Sequence, residues 1–246
     1  MPRIIASIEA RMGSSRFPGK VMADICGRPA IERLVNRLRR CTTLDGIILA
    51  TSVAPADDVL EQWAISVGLP CYRGSEDDVL LRVVEAQRQM NCDIVVEVTG
   101  DCIMLDPELI DMGVETFLGN DCDIVTNARE RSYPIGEVVQ VFRFADLEET
   151  ERKVSDPLVR EHVSLYFYQR PDLYRILNLY APARWRAPEY RFHFDYPEDY
   201  LFLQEIHRRL APTYGDNFGI EEIMAVLRRE PELVEINRHM VERTVR

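Results

Sequence analysis

Long hydrophobic runs are missing from this chain. No apolar stretch approaches the roughly 18 residues that a membrane-spanning helix needs, so a membrane is not an expected partner. The amino terminus leads straight into a strand-like run, without the segments of a secretory leader, and a cytoplasmic protein is expected. None of the six cysteines (Cys26, Cys41, Cys71, Cys92, Cys102, Cys122) stands in a C-x-x-C pair or at zinc spacing from a histidine. Most lie in apolar settings and read as reduced core residues. Lysine is nearly absent: of thirty basic residues, only Lys20 and Lys153 are lysines. No linker, low-complexity segment or repeat interrupts the 246 residues, which suit one α/β domain over 1–246.

The net charge of −11 argues against nucleic acid as the main partner. That charge is unevenly spread. Residues 1–40 hold nine basic and three acidic side chains, a balance of +6, which leaves −17 for the remainder. The local reversal suits a small polyanion bound near the amino terminus.

What is present there is a dense loop. After the apolar run Ile4-Ile5-Ala6-Ser7-Ile8 comes Ala10-Arg11-Met12-Gly13-Ser14-Ser15-Arg16-Phe17-Pro18-Gly19-Lys20. Glycines let backbone N–H groups approach an oxyanion closely, and Arg and Lys supply charge. A strand followed by such a loop is a physical recipe for holding a polyphosphate. It is not a P-loop: five residues separate Gly13 from Gly19, Val21 follows Lys20, and Pro18 removes a backbone donor. Nor is it the dinucleotide G-x-G-x-x-G.

Downstream, helix-like and strand-like patterns alternate, which predicts an α/β fold. Helices are expected over Pro29–Leu38, over Asp57–Val67 with Val59, Leu60, Trp63 and Ala64 on one face, and from Val79. Others are expected from Pro107 with Asp106 as N-cap and from Pro157 with Asp156 as cap, His162 lying within the latter. Strands are expected at Ile47–Thr51, Pro70–Arg73, Asp93–Val98, Ile124–Thr126, after Ser132, at Leu173–Leu179, and at Glu189–Phe194 as a half-exposed strand. Two short tail helices, Ile220–Leu227 and Pro231–Met240, complete the pattern. The run Asp93–Val98 is nearly all apolar, as in a parallel sheet buried on both faces. Ligands in such sheets collect at the carboxyl ends of strands. Asp101 and Asp195 both stand at such ends. Asp121-Cys122-Asp123 instead precedes its strand, at the opposite end.

The opening loop resembles the signature A-R-x-G-S-x-R-x-P-G-K of the sugar cytidylyltransferases, among them the CMP-sialic acid and CMP-Kdo synthetases and the spore coat polysaccharide biosynthesis protein F branch. Gly74-Ser75-Glu76-Asp77-Asp78-Val79-Leu80-Leu81-Arg82 is similar to the family's G-S-E-D-D-V-L-x-R, with Leu81 where Asp is usual. Thr99-Gly100-Asp101-Cys102 and Asp106-Pro107 match T-G-D-C-P-L-[IL]-D-P, with Ile103-Met104 in place of Pro-Leu. Tyr133-Pro134 to Phe142 resembles the family's acceptor-side segment, departing at Glu137, Val138 and Gln140. Arg160-Glu161-His162-Val163 matches R-E-H-V, and Asp195-Tyr196-Pro197-Glu198-Asp199-Tyr200 resembles V-D-T-P-E-D-Y.

The resemblance implies a nucleotide-diphospho-sugar transferase fold, a mixed, mainly parallel sheet flanked by helices. It implies transfer of CMP from CTP to a sugar, an acidic or nonulosonate-like acceptor, with release of pyrophosphate into surface polysaccharide biosynthesis. Ala10, Arg11, Met12, Gly13, Ser14, Ser15, Arg16, Lys20, Ser75 and Arg82 would then bind the nucleotide. Arg11, Lys20, Asp101 and Asp195 would be catalytic, the two aspartates holding Mg²⁺. Asp106, Glu137, Gln140, Arg160 and His162 would lie toward the acceptor. A homodimer is implied, with interface or acceptor contacts in residues 130–190. Two other classes compete: a glycosyltransferase centred on Asp121 and Asp123, and a non-catalytic nucleotide-binding relative.

Overall fold

A computed structural model describes residues 1–240. Seven strands form one sheet in the order β3-β2-β1-β4-β6-β5-β7. They are β1 (Ile4–Glu9), β2 (Gly46–Ser52), β3 (Cys71–Gly74), β4 (Ile94–Thr99), β5 (Ile124–Thr126), β6 (Gln140–Arg143) and β7 (Ile176–Asn178). Only β6 runs against its neighbours; the other pairings are parallel.

Helices cover both faces: α1 (Ala30–Leu38), α2 (Asp58–Ser66), α3 (Val79–Gln89), α4 (Pro107–Gly119), α5 (Phe144–Lys153), α6 (Pro157–Glu161), α7 (Leu165–Gln169), α8 (Pro197–Tyr214) and α9 (Ile220–Arg229). The two-residue period of the strands divides the core. Ile4, Ala6, Ile8, Ile94, Val96 and Val98 pack on the side of α1, α4 and α8, whereas Ile5 and Val95 pack on the side of α3. Asp78 caps α3 by accepting from Leu81 N, and Asp106 caps α4 by accepting from Glu108 N.

From β1 the chain steps outward to β2 and β3, then returns to place β4 on the other side of β1. The crevice between the carboxyl ends of β1 and β4 is therefore a topological switch point, where open α/β sheets bind ligands. Gly100 makes that crevice tight. A Cβ on it would stand 2.8 Å from Ala10 Cβ and 3.0 Å from Glu9 O.

Four expectations need correction. Glu189–Phe194 is not a half-exposed strand: it makes one isolated bridge, Arg191 to Ile135, and Arg191, Phe192 and Phe194 are all buried. Arg191 and His193 in it are engaged by Asp199 and Asp101. Pro231–Ile236 is a 3-10 turn where a longer tail helix was expected. The helix after Asp156 ends at Glu161, so His162 is its C-cap and does not lie inside it. Val59 is 38% exposed, off the buried face that Leu60, Trp63 and Ala64 share.

Candidate active site

The loop after β1 folds back on itself through Met12. Met12 O accepts from Ser14 N at 2.9 Å and from Gly19 N at 3.0 Å, and Ser14 Oγ accepts from Phe17 N at 3.3 Å. Met12 N donates to Asp57 Oδ1 at 2.6 Å, and Asp57 is itself buried and bonded to Ser52. Phe17 packs edge-on against Phe194, centroids 5.2 Å apart, and so joins the loop to the Asp195 segment. Ser15 is exposed, as a residue awaiting a ligand from solvent can be.

The loop delivers Lys20 into a cluster of charge. Lys20 Nζ stands 2.6 Å from Asp101 Oδ2 and 2.7 Å from Asp195 Oδ1. Arg16 also reaches Asp195 Oδ1, at 2.7 Å. His193 lies between the aspartates, Nε2 at 2.9 Å from Asp101 Oδ1 and Nδ1 at 3.4 Å from Asp195 Oδ2. Burial acts against ionisation of Lys20, Asp101, Asp195 and His193, yet opposite charge wins at all four. Asp101 is held well below the usual carboxylate range by His193 and Lys20, and Asp195 is lowered by the same two cations. Lys20 and His193 are correspondingly raised, Lys20 by both aspartates and His193 by Asp101.

The Asp195 end is braced from beneath. Asp199 Oδ2 accepts from Asp195 N at 2.9 Å and from Tyr196 N at 3.0 Å, and the carboxylate pairs with Arg191 at 2.8 and 3.0 Å. Phe194 N donates to Asp101 O at 3.0 Å, which fixes the two acid-bearing segments side by side.

Oxygen donors suit Mg²⁺. Asp101 and Asp195 supply them and converge on one ammonium. The lysine marks a place where a cation is already stabilised, so the pair fits a magnesium ion. Among the described residues, a set of three ligand-capable side chains also meets at Asp101, Cys102 and His193. Its sulfur and nitrogen donors suit softer metals than magnesium.

Beside this cluster opens a cavity of about 700 Å³. Glu137, Gln140 and His162 line it. Ser164 donates to Gln140 Oε1 at 2.7 Å, and Tyr168 donates to the same oxygen. Gly136, at φ +101°, passes so close to the next segment that a Cβ would lie 2.7 Å from His193 N. This contact sets the cavity wall against the aspartate cluster.

Other expected site residues take structural places. Ser75 Oγ accepts from Asp78 N at 3.0 Å, and Arg82, buried, donates to Ser75 O at 2.5 Å. Asp106 accepts from Glu108 N and, at 2.7 Å, from Ile220 N; Arg160 pairs with Asp78 and Glu151. Neither lines the cavity. Asp121 and Asp123 are tied up by Arg175, and Asp123 also by Arg143, at the amino end of β5.

Sequence reasoning missed His193, Asp57, Glu9 and Glu97. The last two line the same cavity, and an acid inside an otherwise apolar strand is the signal that could have found them.

Sheet order, switch-point loop and paired aspartates define an α/β protein of the nucleotide-diphospho-sugar transferase fold, and residues 5–232 match the family described as cytidylyltransferase. The chain belongs to that family. It is 33% identical over 241 residues to the spore coat polysaccharide biosynthesis protein SpsF of Bacillus subtilis, covering 94% of this chain and 97% of that one. It is 31% identical to a 3-deoxy-manno-octulosonate cytidylyltransferase of Anaeromyxobacter sp., over 90% of this chain and 93% of that one. A solved cytidylyltransferase from Leptospira borgpetersenii superposes with a TM-score of 0.90 at 24% identity, covering 99% of this chain and 100% of the other. Among the described residues, no helix is long and apolar enough to cross a membrane.

Proposed function

We propose that this protein is a Mg²⁺-dependent cytidylyltransferase that moves CMP from CTP to an acidic, nonulosonate-like sugar and releases pyrophosphate, in surface polysaccharide biosynthesis. The observation that carries this reading is the meeting of Lys20 with Asp101 and Asp195 at the switch point. Phosphoryl transfer asks for positioning and charge neutralisation, not for a protein nucleophile.

Arg11, Arg16 and the backbone amides of Gly13, Ser15 and Arg16 bind the triphosphate, and Lys20 turns from the aspartates to its phosphates. Asp101 and Asp195 would hold a magnesium ion, which would supply positive charge to the phosphates and lower the pKa of the attacking hydroxyl. The sugar oxygen forms a bond to the α-phosphorus as the bond from that phosphorus to the β-bridging oxygen breaks. Pyrophosphate takes the electron pair, and the hydroxyl proton passes to water. The cavity beside Asp101 seats the sugar; Arg129 and Arg131, exposed at its mouth, favour an acidic acceptor.

The whole chain works as one nucleotidyltransferase unit, with residues 130–190 walling the acceptor site and pairing two copies. Exposed Leu173 and Tyr180 in that stretch support a homodimer. Six unpaired cysteines suit a cytoplasmic setting.

Thermal stability with CTP, UTP, GTP and ATP, each with and without Mg²⁺, tests the reading without knowledge of the sugar. A ligand at 100 times its Kd adds about 2.7 kcal/mol. A shift specific to CTP and enhanced by Mg²⁺ is expected. A shift only with a nucleoside diphosphate sugar would move the protein to glycosyl transfer.

A further inference from the structure

The turn that follows β4 sets two different donor atoms side by side. Cys102 N donates to Thr99 O at 3.1 Å, which closes the turn through Gly100 and Asp101. The segment carrying His193 is held against it, Phe194 N donating to Asp101 O at 3.0 Å. As a result a carboxylate oxygen of Asp101, Cys102 Sγ and a ring nitrogen of His193 lie within 4.8 Å of one another. Among the described residues this is the one such group of three. Cys102 and His193 also line the cavity of about 700 Å³, which gives an ion a way in.

A tetrahedral zinc ion, with bonds of about 2.0–2.3 Å, holds its ligand atoms about 3.3–3.8 Å apart. The three donors therefore need to close by no more than about 1 Å at their widest. The outer partners that orient such ligands are already in place. A ligating imidazole usually donates its second N–H to a carboxylate. With His193 Nε2 turned to the ion, Nδ1 faces Asp195 Oδ2 at 3.4 Å. The other oxygen of Asp101 is fixed by Lys20 at 2.6 Å, and Thr99 Oγ1 lies 3.2 Å from Cys102 Sγ. An ion pair would need only Asp101 and His193. The sulfur beside them is a donor that magnesium does not use and zinc does.

We propose that Asp101, Cys102 and His193 form a second metal site, which takes Zn²⁺ through one oxygen, one sulfur and one nitrogen and keeps a fourth position open to the cavity. The ion displaces the thiol proton of Cys102 and the proton between His193 Nε2 and Asp101 Oδ1, and both pass to buffer. Asp101 belongs also to the pair assigned to magnesium, so the two ions exclude one another there. That exclusion rests on the cytidylyltransferase reading; the zinc site itself does not.

The test titrates Co²⁺, and then Zn²⁺, into the metal-free protein without nucleotide. Cobalt accepts the donors of zinc and is coloured. A thiolate ligand gives a sulfur-to-metal charge-transfer band, and four-coordination gives intense visible bands; an octahedral site of oxygens gives neither. One Co²⁺ per chain should show both features, and Zn²⁺ should abolish them by displacement. Cys102→Ser should remove the sulfur band, and His193→Gln should weaken Zn²⁺ binding at least about tenfold. A cooperative melt in chelator shows each variant to be folded, and either variant alone decides. A spectrum of oxygen ligands only, a sulfur band that survives Cys102→Ser, or a zinc affinity untouched by His193→Gln would overturn the proposal. No nucleotide enters these measurements, so their failure leaves the cytidylyltransferase reading standing, and a missing CTP shift leaves the zinc site standing.

Discussion

Lys20 Nζ lies 2.6 Å from Asp101 Oδ2, joining the end of the β1 loop to the end of β4. The same ammonium reaches Asp195, so one buried cation pairs with both acids. Lys20→Met removes it. Turnover should fall about 10²–10³-fold, the scale for loss of a positioned charge at a phosphoryl-type transition state. Stability should fall by only about 1–3 kcal/mol, because Arg16 and His193 remain beside the aspartates. Steady-state rates and denaturant melts read the two effects separately. Unchanged turnover would remove Lys20 from the chemistry.

Asp57 acts on the loop from below, holding Met12 N at 2.6 Å. It is 2% exposed and also accepts from Ser52 N at 3.3 Å. Asp57→Ala should loosen the loop, raising KM for CTP about tenfold and costing about 1–3 kcal/mol of stability. Asp57→Asn, which keeps an acceptor oxygen, should recover most of the affinity. If the alanine variant loses stability but keeps its KM, Asp57 supports the fold and not the loop.

The sheet and half of this site were legible because their signals are local. Apolar runs marked β1 and β4, the basic loop stood between strand and helix, and Asp101 followed its strand with a glycine before it. What could not be read is contact across distance. Lys20 and Asp195 are 175 residues apart, and no spacing announces that they touch. His193 hid inside an alternating pattern that suggested a solvent-facing strand, whereas its neighbours Arg191 and Phe194 are buried. Asp106 and Arg160 matched motifs of the family, and their side chains are engaged in a helix cap and in ion pairs.

Arg191 and Asp199 form a buried ion pair at 2.8 Å under Asp195. Their value is positional, since Asp199 also receives the Asp195 and Tyr196 amides. Arg191→Met should cost about 3–5 kcal/mol by stranding the Asp199 carboxylate. Adding Asp199→Asn should recover part of that loss, because the stranded charge is gone. A double variant no more stable than the single one would argue against the pair as the cause.

His207 supplies a pH dependence outside the site. Its ring is fully buried against Phe218, with Nδ1 2.9 Å from Leu203 O. Burial, helped by Arg37, lowers its pKa to about 3. The folded protein keeps this ring neutral, while the unfolded chain binds a proton below about pH 6.5. The stabilisation is therefore complete above that value and is lost as pH falls toward 3. Between pH 7 and pH 5 the loss should be about 2 kcal/mol, before most carboxylates begin to titrate. Denaturant melts of the wild type and of His207→Phe over this interval check it. The phenylalanine variant should show a flatter curve by about that amount; parallel curves would mean that His207 does not carry the acid sensitivity.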